Sequence, residues 1–143
     1  MTYLDTSALV KRFVREKGSE RVTRMILVDG PVATSKIAYA EVYAALARRS
    51  RERALTRRGY ATALRNFRRD WKAYIRVDLH DDVLRRARSL VRRHPLRAYD
   101  AVHLATAPDL KAAVGAPVTL VAADGSLLEA AVREHLNVVD PEV

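Results

Sequence analysis

The chain has 143 residues, 26 Lys and Arg against 17 Asp and Glu, a net charge of +9 and no cysteine. It is long enough for one compact domain, expected over residues 1–143, and disulfides and thiolate zinc sites are excluded. No apolar run approaches the roughly 20 residues that span a bilayer, and Asp5 interrupts the only early apolar stretch, so neither a membrane partner nor a secretory leader is expected and a cytoplasmic location is. Arginine carries most of the positive charge; its planar fork suits phosphate, so nucleic acid or an acidic protein is the expected partner.

In chain order, Met1 to Leu4 reads as a short strand ending at Asp5, and Thr6 and Ser7 are good caps for a helix beginning at Ala8. A second helix is predicted from Ser19 to about Leu27, broken by Asp29-Gly30-Pro31. A very short strand over Pro31 to Ala33 leads to Ser35, read as the cap of a helix from Lys36 to Arg49. Tyr60, Leu64, Phe67, Trp71 and Tyr74 recur at helical spacing and form an aromatic stripe, with Leu64 and Phe67 expected in the core. Arg76 to Asp78 reads as a strand, Asp81 to Arg93 as a helix stopped by Pro95, and Ala98 to Leu110 as a helix with Pro108 near its end. Pro117 to Ala123 is the clearest strand, closed by Asp124-Gly125; a helix over Leu127 to Arg133 and an edge strand over Leu136 to Val139 finish the chain. Short apolar strands alternating with helices predict an α/β fold with a mostly parallel sheet.

Asp5 and Asp124 each follow an apolar strand, and the carboxyl ends of parallel strands gather along one sheet edge. Carboxylates brought together there repel unless protonated or bound to a cation. Glu41 and Asp100 sit in helices among small apolar residues, where an unpaired carboxylate is costly. Plainer readings stand beside these. Asp124 suits a turn or helix cap, Asp100 suits a first helical turn, and Glu41 is in reach of Lys36 or Arg48. An all-carboxylate set suits Mg2+ or Mn2+, which prefer oxygen ligands. His103, three residues beyond Asp100, is read as a core hydrogen-bonding group rather than a substrate group, and His80, His94 and His135 lack metal-binding spacing.

The opening Tyr3-Leu4-Asp5-Thr6-Ser7-Ala8-Leu9-Val10-Lys11 resembles the start of PIN-domain proteins, in particular the VapC toxins of toxin–antitoxin pairs. Three further segments agree in order: Ser35 to Val42 around Glu41, Arg97 to Ala105 around Asp100, and Val118 to Asp124 followed by Leu127-Leu128. The resemblance implies a PIN-like three-layer α/β/α domain with a central, mostly parallel sheet. It implies catalysis and metal binding by Asp5, Glu41, Asp100 and Asp124, with Ser7, and secondarily Thr6, as the supporting hydroxyl. It further implies a Mg2+- or Mn2+-dependent endoribonuclease, an RNA substrate, a homodimer and inhibition by a cognate VapB-like antitoxin. Lys11, Arg12, Arg15 and Arg97 flank these motifs and are the candidates for contacting substrate phosphate. Two alternatives stay open: a catalytically weak PIN-like module that binds RNA or protein, and a nuclease acting on single-stranded or flap DNA.

Overall fold

The computed structural model describes residues 1–143. Five strands, β1 (Thr2–Leu4), β2 (Val32–Ser35), β3 (Ile75–Val77), β4 (Thr119–Val121) and β5 (Asn137–Val139), form one sheet in the order β3-β2-β1-β4-β5. Every neighbouring pair is parallel. β1 is central, and its register with β4 sets Leu4 opposite Val121, so the residues following both strands emerge side by side. The Asp5 amide continues the ladder by donating to the Val121 carbonyl at 3.1 Å.

Seven α-helices cover the two faces: α1 (Thr6–Leu9), α2 (Ser19–Val28), α3 (Ala38–Arg51), α4 (Arg57–Trp71), α5 (Asp81–Arg93), α6 (Ala98–Val114) and α7 (Gly125–Arg133). A single 3-10 turn, Val10–Arg12, extends α1. Strand side chains alternate between the faces, as a period of two requires. Tyr3, Ala33 and Leu120 join α5, α6 and α7 in one core, whereas Leu4, Val32 and Val121 join α1 to α4 in the other. The result is a three-layer α/β/α fold with a parallel sheet, as the alternation of short apolar strands and helices predicts.

The local differences from expectation have identifiable causes. β2 runs on through Ser35, whose hydroxyl accepts from the Ile37 amide instead of capping α3; that helix starts only at Ala38. Sheet pairing claims Ser35, because its backbone lies opposite Val77. α6 continues past Pro108 to Val114 before Gly115 ends it in a left-handed conformation at φ 65°. Pro108 removes one helical amide, but Arg86 donates to the Ala105 carbonyl and to Asp109, tying this turn to α5. The aromatic stripe of α4 packs inward: Phe67 is fully buried, and Phe13, Tyr39, Tyr43 and Trp71 lie 5.3–5.8 Å from its ring.

Candidate active site

A groove of about 640 Å3 opens over the carboxyl ends of β1 and β4. Asp5, Glu41, Asp100 and Asp124 all line it, together with Thr6, Ser7 and His103. Each acid reaches it from a different element. Asp5 follows β1, Glu41 stands in the first turn of α3, Asp100 in the first turn of α6, and Asp124 precedes α7.

Asp5 is 2% exposed and caps α1, accepting the Ala8 amide at 2.9 Å. It thus performs the capping task that the sequence assigned to Thr6 and Ser7. The freed Ser7 hydroxyl lies 2.7 and 2.8 Å from the two Asp5 oxygens and accepts the Ala123 amide at 2.9 Å. Ser7 therefore stitches the end of β1 to the segment after β4. Burial pushes the Asp5 carboxyl above its usual range, a shift opposed by His103, the Ala8 amide and Ser7.

Glu41 bonds neither Lys36 nor Arg48; Lys36 pairs instead with Asp78 on the surface. Glu41 Oε1 accepts from Thr6 Oγ1 at 2.7 Å and lies 2.8 Å from His103 Nε2. Burial raises this carboxyl, but His103, Thr6 and the nearby Arg97 charge outweigh it, so Glu41 is held below the ordinary carboxylate range. The other ring nitrogen of His103 lies 2.9 Å from the Tyr3 hydroxyl, making His103 part of the site's framework.

Asp124 caps α7 by accepting the Leu127 amide at 2.9 Å, which bears out the plainer reading of that residue without removing it from the groove. Arg97 stands between the remaining acids, donating to Asp100 at 3.0 Å and to Asp124 at 3.5 Å. Its guanidinium is held above the ordinary arginine value, chiefly by the bond to Asp100.

The other basic candidates are distributed differently from expectation. Lys11 lines the groove but is only 4% exposed and is bound to Glu16 at 3.1 Å and Glu142 at 2.5 Å. Arg12 lies outside the groove lining, held by Asp70 at 3.1 Å, and the exposed Arg15 borders a separate surface depression. The groove's basic and aromatic rim instead includes Lys17, Arg48, Arg49 and Tyr99, none of which was expected to contact substrate. Their only sequence signal is proximity: Tyr99 precedes Asp100, and Arg48 lies two helical turns beyond Glu41.

The donor set suits a hard cation, since it consists of carboxylates and hydroxyls. The Arg97 guanidinium between Asp100 and Asp124 already supplies positive charge there. As the side chains stand, no three of the Asp, Glu and His residues are arranged to hold a metal ion. Asp100 and Asp124 are instead paired with Arg97, and one oxygen of Glu41 is held by Thr6 and His103.

Comparison with known proteins identifies the family. Residues 2–132 match the PIN domain family. Ribonuclease VapC45 of Mycobacterium tuberculosis (strain CDC 1551 / Oshkosh) is 39% identical over 122 residues, covering 85% of this chain and 82% of the relative. Among solved structures, a toxin-antitoxin complex from Klebsiella pneumoniae aligns with TM-score 0.66 at 19% identity, over 99% of this chain and 98% of that one. VapC20 of Mycobacterium tuberculosis, a Sarcin-Ricin loop cleaving toxin, aligns with TM-score 0.66 at 20% identity, over 91% and 95%. With its parallel sheet, its four acids along one groove and a family match over most of its length, the chain belongs to the PIN-domain family and is closely related to the VapC-type ribonucleases of toxin–antitoxin systems.

Proposed function

We propose that this protein is an endoribonuclease toxin that hydrolyses RNA phosphodiester bonds with Mg2+ or Mn2+ held by Asp5, Glu41, Asp100 and Asp124. One observation carries the reading: four carboxylates from four separate elements line one groove whose rim is arginine and lysine. The kinship to a protein named as a ribonuclease supports the same activity. The bound ion would activate water and neutralise charge gathering on the phosphoryl oxygens. The chain's own residues supply the rest. Ser7 and the α1 amides fix Asp5, Thr6 and His103 fix Glu41, and Arg97, Arg48 and Lys17 draw the RNA backbone toward the acids. Asp100 and Asp124, which now pair with Arg97, would help hold the ion, and the Arg97 guanidinium would then be available to a substrate phosphate.

Residues 1–143 act here as one domain, and the working form is a homodimer in the cytoplasm. No helix of the chain is long and apolar enough to cross a membrane. The partner that silences it is a cognate antitoxin covering the groove, in keeping with the toxin-antitoxin complex among its structural relatives.

The test is cleavage of RNA by antitoxin-free protein with Mn2+ or Mg2+. Asp5→Asn and Asp100→Asn are each expected to reduce the rate by at least about 100-fold, the scale lost when one transition-state charge contact goes, and EDTA to stop it. Circular dichroism should show both variants folded. Cleavage that persists in both folded variants would exclude this mechanism. Unsubstituted protein that binds RNA and never cuts it would make the chain a binding module, and preferential cutting of matched DNA would make it a DNA nuclease.

A further inference from the structure

We infer that Tyr3 and His103 are positioning residues for Glu41: a buried hydrogen-bonded chain pins Glu41 Oε1 to the protein and leaves Oε2 open to the groove as the single ligand oxygen. This rests on the metal-dependent reading above and goes beyond it, because it assigns how one acid is presented and by which residues.

The chain runs through three elements. Tyr3, in β1, is fully buried and its hydroxyl lies 2.9 Å from His103 Nδ1. His103, in α6, is 1% exposed, and its Nε2 lies 2.8 Å from Glu41 Oε1 and 3.2 Å from Thr6 Oγ1. A carboxylate oxygen accepts, so His103 Nε2 is the donor to Glu41 Oε1, while the Tyr3 hydroxyl engages the other ring nitrogen. Thr6 donates to the same carboxylate oxygen at 2.7 Å.

Oε1 therefore receives two donors, while Oε2 receives none. Tyr74 Oη is the only buried side-chain polar atom lacking a partner, so the unbonded Oε2 is solvent-accessible, and Glu41 lines the groove. A free glutamate samples several rotamers, and ordering it when the ion arrives costs affinity. Here the ordering is already done by two donors, one of them a buried ring that cannot turn without losing the Tyr3 bond.

The experiment is calorimetric titration of Mn2+ into antitoxin-free protein, unsubstituted and as His103→Leu, His103→Gln and Tyr3→Phe, with the fold of each checked by circular dichroism. His103→Leu should weaken Mn2+ binding by ~10- to 100-fold, the range for losing a group that orients a metal ligand. His103→Gln should recover most of that loss, because its amide can donate to Glu41 from nearly the same place. Tyr3→Phe should cost about fivefold, as expected for one lost hydrogen bond. In the ion-free protein, 15N NMR should show a proton on His103 Nε2.

Folded His103→Leu that binds Mn2+ as tightly as the unsubstituted chain overturns the inference and leaves the metal reading intact. A bare Nε2 in the NMR spectrum does the same. Should His103→Leu fail to fold, Tyr3→Phe decides, and unchanged Mn2+ affinity there overturns the inference. Unsubstituted protein that takes up no Mn2+ overturns the metal reading, and this inference with it.

Discussion

Asp5 shows what a single buried residue costs and contributes. It is 2% exposed, it caps a helix, and burial raises its carboxyl above the ordinary value. A group whose folded pKa is raised destabilises the fold in its ionised form, and the penalty is relieved as pH falls through that raised value. Asn caps helices as well as Asp and carries no charge to bury. Asp5→Asn is therefore expected to raise Tm at pH 7, with the gain shrinking as the medium is acidified toward the carboxyl's own protonation. Thermal melts of both proteins across this range check it; a lower Tm for Asp5→Asn at pH 7 would show that the ionised carboxylate is stabilising. At this scale the sequence was informative about position and less so about partners. Asp5 and Asp124 at strand ends could be read directly, because a chain reverses at such ends. The bonds of Glu41 could not, because Thr6 lies 35 residues away and His103 lies 62 away.

Among the elements, the turn into α2 governs one wall of the groove. Gly18 takes φ 86°, and a Cβ there would lie 3.0 Å from the Pro141 carbonyl oxygen and 3.3 Å from Lys11 Cδ. Just beyond, Glu142 reaches the buried Lys11, which also holds Glu16, and Glu16 in turn meets Arg49 at 3.2 Å. Arg21 donates to the Asp140 and Val143 carbonyls, fastening the same segment to α2. Gly18→Ala combines left-handed strain with a collision against backbone, and is expected to lower stability by about 1–3 kcal/mol. Urea denaturation measures this, and an unchanged midpoint would mean that residues 140–143 do not pack on the turn. Helix and strand types followed from periodicity, since α4 and α5 each bury one stripe and Val118, Leu120 and Val121 around β4 are apolar and buried. Boundaries followed less well. Ser35 was claimed by sheet pairing with Val77, a contact no local signal encodes. Lys11 looks like a surface cation in its segment and is buried only because Glu142 comes to it from 131 residues away.

For the molecule as a whole, the net charge of +9 becomes a directed field only through folding. Arg48, Arg49, Arg97 and Lys17 border the acids, whereas Arg12 and Arg15 lie elsewhere. RNA held by about four phosphate contacts releases counterions on binding, so affinity for a single strand should fall about 50-fold between 50 and 200 mM salt. Fluorescence anisotropy with divalent ions chelated measures the slope, and a flat response would show that the rim makes no phosphate contacts. The sequence by itself determined the α/β class, the parallel sheet and the strand ends that carry two of the acids, because those properties follow from the period of apolar residues along the chain. It also carried the family motifs, which are local. Only the tertiary structure decided that β1 and β4 are neighbours, that Arg97 stands between Asp100 and Asp124, and that Tyr3, His103, Glu41 and Thr6 form one hydrogen-bonded chain. The physical reason is that a side chain's partner is set by strand order and helix packing, whereas local sequence encodes only the direction in which that side chain leaves its own element.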